Sequence, residues 1–252
     1  MKLKILRHLE KDYQIIIENE FIKKKNRSGK INNYFKIFNE DNFEVFLLTD
    51  NNENLIAGLT AYYPKNTFQY AEIGLVIVND RFRGFGYSHQ LLKMSIEYIN
   101  KKFKDIVLWT SKHGVYKKIG FNIEDNTRYL NFENSGTHNH INYTDIQVET
   151  KIRPLYSTST GMLKTGKHRV YYIDDGNSPI YYDYKGNVDA AIEIILAHNK
   201  RIGRLYMHRD DPIFPKFTNL IKNWSDSVDK YEMWLHRNTE KNNIHVKFIN
   251  RI

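Results

Sequence analysis

The sequence predicts a mixed α/β (α+β) fold: a mostly antiparallel sheet flanked by helices, followed by a second, smaller α/β half of similar outline. Three observations lead there. Strand-like and helix-like apolar patterns alternate along 252 residues, enough for one large or two small domains with a sizeable core. The run "IGLVIV" at 73–78 is apolar throughout, as a buried central strand requires. The order long strand, helix, strand, strand occurs once in each half, and the second half is the smaller.

The elements follow in order. "LKILRHL" opens as a short strand. "YQIIIENEFIKKK" predicts a helix with Ile15, Ile16, Phe21 and Ile22 on one stripe. "FEVFLLTD" and "LIAGLTAYYP" flank the turn "NNEN" and predict a hairpin. "FQYAEIGLVIVND" is the third and longest strand. From Ser88 the period becomes helical, with Leu92, Ile96, Ile99 and Phe103 at three- or four-residue steps. "DIVLWTS" is another buried strand, then comes "HGVYKKIGF", and "RYLNFEN" closes the first domain as a strand. That domain is placed at 1–133.

Residues 134–168 are the least regular and predict a partly ordered linker, with a strand "IQVETKI" inside it. The second domain is placed at 169–252. "RVYYIDDGNSPIYYDYKG" predicts a hairpin turning at Asp175-Gly176. "NVDAAIEIILAHNKRIG" predicts a helix capped by Asn187, with Ile192, Ile195 and Leu196 on its apolar face and Gly203 beyond its end. "RLYMHRD" is a strand. Asp211-Pro212 starts a helical segment with Phe217, Leu220, Ile221 and Trp224 on one face, its regular part delayed by Pro215. "KYEMWLHRN" and "IHVKFI" are the closing strands of that domain.

Composition narrows the functions. There is no cysteine, which excludes disulfides and thiolate metal sites. The N-terminus lacks the apolar segment of a signal peptide, and no run has the roughly 18–20 apolar residues of a membrane span, so a cytoplasmic protein with no membrane partner is expected. The formal charge of +9 is shared almost evenly between residues 1–125 and 126–252. It favours an anionic partner such as a phosphorylated cofactor, and nucleic acid stays open as a partner.

The chemistry gathers at "RFRGFGYSHQ", residues 81–90. A helix N-terminus has free N–H groups and a positive dipole end, which attract anions. Gly84 and Gly86 lack a Cβ, so the backbone there can approach a diphosphate and take positive φ angles. Arg81 and Arg83 add positive charge. The dinucleotide fingerprint fails, because its third glycine position holds His89. "GMLKTGKH" is not a P-loop either, because His168 stands where Ser or Thr would be needed and no strand leads into it. His138 and His140 in "THNH" have no further ligands nearby and read as loop residues, so no metal site is expected. Asp211, beside His208 and Asp210, reads as a helix cap. The Tyr-rich strands of the second half read as packing.

Arg81-x-x-Gly84-x-Gly86 resembles the R/Q-x-x-G-x-G/A signature of the GNAT superfamily of N-acetyltransferases. Thirty residues after Gly86, Tyr116, Gly120 and Phe121 in "VYKKIGF" resemble that family's Tyr-x-x-x-Gly-Phe element. The helix and strand between them are in the family's order. The resemblance covers residues 1–132 and implies a GNAT-like sheet, with the second half a degenerate copy that lacks the signature loop. It implies acetyl-CoA as co-substrate and no metal. The pantetheine arm would pair with Val76, Ile77 and Val78. The pyrophosphate would sit on Arg83, Gly84, Phe85, Gly86, Tyr87 and Ser88. Tyr116 would donate a proton to the departing thiolate. Glu72, a carboxylate beside a buried run, would act as base through water, burial raising its pKa towards a useful value. Only "TSKHGV" separates Trp109 from Tyr116, so the family's helix there must be very short or absent.

The implied activity is acetyl transfer from acetyl-CoA to a primary amine of a small molecule, protein or modified nucleic acid, by direct attack. The alternative from another class is a non-catalytic protein that binds acyl-CoA or nucleic acid on the same scaffold. The second half carries no chemistry of its own; it is expected to cover the first sheet, contribute to the acceptor site, or form a homodimer.

Overall fold

In a computed structural model of the chain, residues 1–65, 70–135, 141–199, 201–227, 230–236, 246 and 251 are described. The chain forms two units. One is Met1–Asp125 joined by a segment that begins at Tyr231, and the other is Asn126–Lys230.

The first unit opens with β1 (Lys2–Leu6) and α1 (Lys11–Ile17). The Glu10 carboxylate caps α1 by accepting from the Asp12 and Tyr13 N–H groups. The helix continues as a π-turn, Glu18–Ile22, and a short 3-10 turn, Lys23–Lys25. The π-turn resets the buried face. Tyr13 and Ile17 are buried in α1, and the next buried residue is Ile22, a step of five that an α-helix does not offer. The expected stripe is therefore corrected: Ile15 is 47% exposed.

β2 (Phe43–Thr49), β3 (Leu55–Tyr62) and β4 (Tyr70–Val78) form an antiparallel meander. Gly58 on β3 is required by close approach, since a Cβ there would lie 2.5 Å from the Tyr13 ring. α2 (Tyr87–Ile99) crosses to β5 (Asp105–Trp109), which pairs parallel with β4. α3 (His113–Lys117) is a single turn, as short as its sequence allows, and β6 (Asn122–Ile123) follows. Leu91, Leu92, Ile96 and Ile99 of α2 pack with Ile73, Ile106, Leu108 and Met233 in the core.

β7 (Thr127–Glu133), the expected last strand of the first domain, pairs in the second unit's sheet. β8 (Thr144–Gln147) and β9 (Ser159–Thr165) lie within the expected linker. β9 and β10 (His168–Asp174) make a hairpin out of the P-loop-like stretch. β10 turns into β11 (Pro179–Lys185) through Asp175-Gly176. α4 (Val188–His198) is capped by Asn187, which accepts from Asp189 N–H at 2.7 Å. β12 (Ile202–His208) pairs parallel with β11. In α5 (Ile213–Leu220), Asp211 accepts from Ile213 N–H at 2.9 Å, and Pro215 lies within the helix. Its expected face is corrected. Phe217 and Ile221 are buried, Leu220 is exposed, and Trp224 belongs to the next strand, β13 (Asn223–Asp226).

β14 (Glu232–His236), read from sequence as part of the second domain, enters the first unit's sheet between β5 and β6. The two sheets run β1-β2-β3-β4-β5-β14-β6 and β8-β9-β10-β11-β12-β7-β13. They have the same plan: the sixth position is filled in the first sheet by β14, which follows the second unit's segment in the chain, and in the second sheet by β7, that unit's own first strand. The division at 1–133, 134–168 and 169–252 differs from this one because pattern marks a strand but does not name its sheet. Of "IHVKFI" only Val246 is described, while His138 and His140 lie outside the described residues. Among the described residues, no helix is long and apolar enough to cross a membrane.

Candidate active site

The site is built where β4 and β5 part. They pair only at Tyr70–Asp105, Ala71–Ile106 and Glu72–Val107, although β4 runs on to Val78 and β5 to Trp109. A bulge marks the parting. The β3–β4 register shifts between Gly58 and Thr60, and Leu75 sits at φ 50°. That left-handed conformation costs an L-residue about 1–2 kcal/mol and persists only where its surroundings impose it. Two hydrogen bonds hold the backbone there. The Tyr13 hydroxyl donates to the Leu75 carbonyl at 2.7 Å, and the Thr60 hydroxyl donates to the Gly74 carbonyl at 3.1 Å. Val76, Ile77 and Val78 follow the bulge. Ile77 and Val78 still pair with β3, which leaves β4's other edge without a β5 partner past Glu72.

The glycine stretch begins two residues after β4 ends. Gly84 and Gly86 have φ 86° and 78°, and an added Cβ would meet nothing within 4 Å at either position. Glycine is therefore set there by the backbone path, and the space in front is open. Gly86 is the N-cap of α2 and supplies no side-chain acceptor, so the Tyr87 and Ser88 N–H groups remain available, while those of His89 and Gln90 donate to the Gly86 carbonyl. Phe85 is 72% exposed, and Arg81 and Arg83 are exposed beside it. These features fit a diphosphate.

Arg83 is held from three sides. It pairs with Glu20 at 3.0 Å and Asp80 at 2.7 Å, and its Nε donates to the Val78 carbonyl at 3.2 Å. Lys24 joins the same two carboxylates at 2.8 and 3.3 Å. Hydrogen bonds from Lys24 and Arg83 hold the Glu20 carboxyl below its ordinary value. Glu20 lies in the π-turn, so the turn that rephases the first helix also supplies a carboxylate to the cradle's arginine.

Tyr116 lies on α3, 9% exposed, with its ring edge-on to Phe121 at 6.0 Å. Burial raises its phenol to about 12, so the proton stays on throughout the neutral range. Gly120, at φ 101°, turns the chain so that the Phe121 N–H donates back to the Tyr116 carbonyl. The element Tyr116–Gly120–Phe121 is thus one compact turn.

Glu72 is fully buried, not merely beside a buried run. Neither carboxylate oxygen meets a donor in hydrogen-bond geometry. Burial pushes its pKa well above the carboxylate range, only partly opposed by the Tyr70 phenol and the Arg251 guanidinium, and the charge of Glu232 raises it further.

Glu232 was missed by the sequence reading. Residues two apart on a strand share a face. Tyr70 and Glu72, Val107 and Trp109, and Glu232 and Trp234 therefore share one face, in the registers Glu72–Val107–Trp234 and Trp109–Glu232. Met233 and Leu235 turn to the other face, against the α2 core. Glu232 is fully buried and accepts from three donors: Trp234 Nε1 at 2.7 Å, Trp109 Nε1 at 3.3 Å and Arg251 Nη2 at 3.2 Å. Arg251 also lies over the Trp109 ring at 5.4 Å. Burial raises the Glu232 carboxyl to about 7 against the pull of Arg251 and the indoles. At the other end of β14, His236 bridges Asp105 at 3.0 Å and Glu124 at 2.8 Å and stacks on Trp234. The signal available in the sequence was a lone Glu inside the apolar strand "EMWL", where an unpaired charge would be costly.

Known proteins bear on this geometry as follows. Residues 5–121 match the model of the acetyltransferase (GNAT) family. The fold is similar to a GCN5-related N-acetyltransferase from Anabaena variabilis, with a TM-score of 0.65 and 13% identity over 94% of this chain and 73% of that one. It is similar to Eis1 from Mycobacterium abscessus, with a TM-score of 0.62 and 10% identity over 95% and 75%. A tandem GNAT protein from the clavulanic acid biosynthesis pathway aligns with a TM-score of 0.55 and 7% identity over 95% of this chain and 100% of its own. At these identities the likeness is one of fold. No curated protein matches the chain.

Proposed function

Residues 5–121 match the model of the acetyltransferase (GNAT) family, and from that premise we propose that the protein transfers an acetyl group from acetyl-CoA to a primary amine. One observation carries the reading. The parting of β4 from β5 past Glu72 is followed directly by an open, glycine-built helix N-terminus. A strand edge for the pantetheine amides and a seat for the diphosphate thus stand in the order in which acetyl-CoA presents those groups.

In this proposal the free edge at Val76, Ile77 and Val78 takes the pantetheine arm. The backbone N–H groups of 83–88 take the pyrophosphate, with Arg81 and Arg83 adding charge. The bulge at Leu75 turns β4's backbone towards the thioester, where an N–H can steady the developing oxyanion. Tyr116 holds a hydrogen on the departing sulfur. Glu72 is the carboxyl at the parting, in the base's position. Its burial favours the protonated form, and in that form it can take the amine's proton only by handing its own onward.

Two experiments test this. Thiol release from acetyl-CoA across an amine panel is expected with at least one amine. Tight CoA binding with no release for any amine would favour the non-catalytic alternative. Mass spectrometry of cell extract incubated with the protein and labelled acetyl-CoA would name the acceptor. For Tyr116→Phe, kcat is expected to fall about 10²-fold, the lower range for general acid catalysis, with CoA affinity unchanged by calorimetry. An unchanged kcat would remove Tyr116 from the chemistry.

A further inference from the structure

We propose that Glu232, delivered to the first sheet by the C-terminal strand, is the residue that takes up the proton the acceptor amine must lose. The inference rests on the acetyl-transfer reading above and adds to it a residue from outside the matched segment.

Three observations carry it. The first is place. Glu232 is in register with Trp109 at the end of β5, on the same face as Glu72 and past the point where β4 and β5 part. The second is fixation. Three donors hold its two oxygens, and one of them, Arg251, is a full positive charge that favours the ionised form. The third is contrast. Glu72, which senses the same field, has no donor in hydrogen-bond geometry, and burial outweighs the pull of the Tyr70 phenol and Arg251. Two carboxyls whose surroundings push them apart divide the proton work between them: the one whose surroundings favour the neutral form relays, the one held by donors accepts. Glu232 titrates near 7, the value at which a base is both ionised and strong at neutral pH. The other charged or titratable groups that bear on it are Asp125, whose carboxylate receives the Tyr231 and Glu232 N–H groups, and His236 on its own strand. Glu232 is buried, so the proton reaches it through water or past Glu72, which gives up one proton as it takes another.

The step balances. The ammonium gives one proton to Glu232 and becomes an amine. Its lone pair forms the C–N bond to the thioester carbon, and the C–S bond breaks with its electron pair leaving on sulfur. The second N–H proton ends on sulfur, where Tyr116 assists. Glu232 returns its proton to solvent.

The test is kcat/KM against pH for the first amine found to be acetylated, using the full chain. The wild type is expected to lose activity below pH about 7 with the slope of one proton. Glu232→Gln keeps the shape and one acceptor oxygen, enough for one of the two indole N–H groups. It is expected to lower kcat/KM about 10²-fold at neutral pH and to abolish that limb. Arg251→Gln removes the charge that favours ionisation and is expected to move the limb to higher pH. A limb that survives in Glu232→Gln, with activity lowered equally at every pH, is what a structural role predicts and would overturn the inference alone. Infrared titration reads the same group without turnover. A protonated-carboxyl band that disappears as pH rises through about 7 should be present in the wild type and missing in Glu232→Gln. Its persistence in the variant would also overturn the inference. A wild type that acetylates no amine overturns the acetyltransferase reading, and the inference with it.

Discussion

Ending the chain at Lys230 is expected to leave the first unit unfolded. The cut removes only the last tenth of the sequence, but it takes β14 out from between β5 and β6. Met233 and Trp234, 0% and 2% exposed, leave the sheet with it. Truncating one such side chain costs about 2–5 kcal/mol, and a whole domain is stable by about 5–15 kcal/mol. The backbone ladder of β5 from Asp105 to Trp109 loses its partner as well. So do Asp105, Glu124 and Asp125, which His236 and the start of β14 satisfy. Chains 1–230 and 1–133 should both aggregate or lack a cooperative melt, although residues 5–121 alone match the family model. A soluble 1–133 fragment melting within a few degrees of the full chain would contradict the need for β14 in the first sheet.

The double variant Gly84→Glu, Gly86→Glu is expected to weaken CoA binding by at least 10²-fold, about 2.7 kcal/mol. Neither side chain would collide with the protein, because nothing lies within 4 Å of either added Cβ. The loss comes from two other sources. Positive φ at both positions strains any L-residue. Two carboxylates would also stand where the diphosphate sits, against the helix's positive end. The matching alanine variant separates these, since it keeps the strain and omits the charge. Calorimetry should place Ala–Ala between wild type and Glu–Glu, and the gap between the variants should shrink with salt. Equal affinity in all three would remove the loop from the cofactor site.

The fold's plan was readable because its evidence is local. The apolar run 73–78 and the helical period after Ser88 mark β4 and α2 wherever they end up. The glycine stretch was readable for the same reason, its chemistry lying in ten consecutive residues. What stayed hidden depends on contacts distant in sequence. "RYLNFEN" and "KYEMWLHRN" were seen as strands, but nothing in their alternation says that the first opens the second sheet and that the second returns to the first. Glu232 was hidden with its strand, since its partners Trp109 and Arg251 meet it only after the crossing. The π-turn was hidden too: "IIIENEFI" offers enough apolar residues to satisfy an ordinary helical stripe, and only packing selects Ile17 and Ile22. Glu72 shows the limit of a reading by degree. Sequence placed it at the border of the buried run, whereas full burial raises its pKa well beyond what a border position would.

The crossing of β14 also sets a schedule for synthesis. A chain made from its N-terminus usually folds its first domain while the rest is still being added. Here residues up to Asp125 emerge with β5 complete and the neighbour of its free edge still unmade. The ribosome must add roughly a hundred more residues before Glu232–His236 appears, about 5–20 s at ordinary elongation rates. For that interval an apolar strand edge is exposed to other nascent chains, the setting in which edges pair wrongly. The second sheet meets no such wait, because its strands, β7 to β13, all come from the continuous stretch Asn126–Lys230. The half that carries the cradle is begun first and finished last.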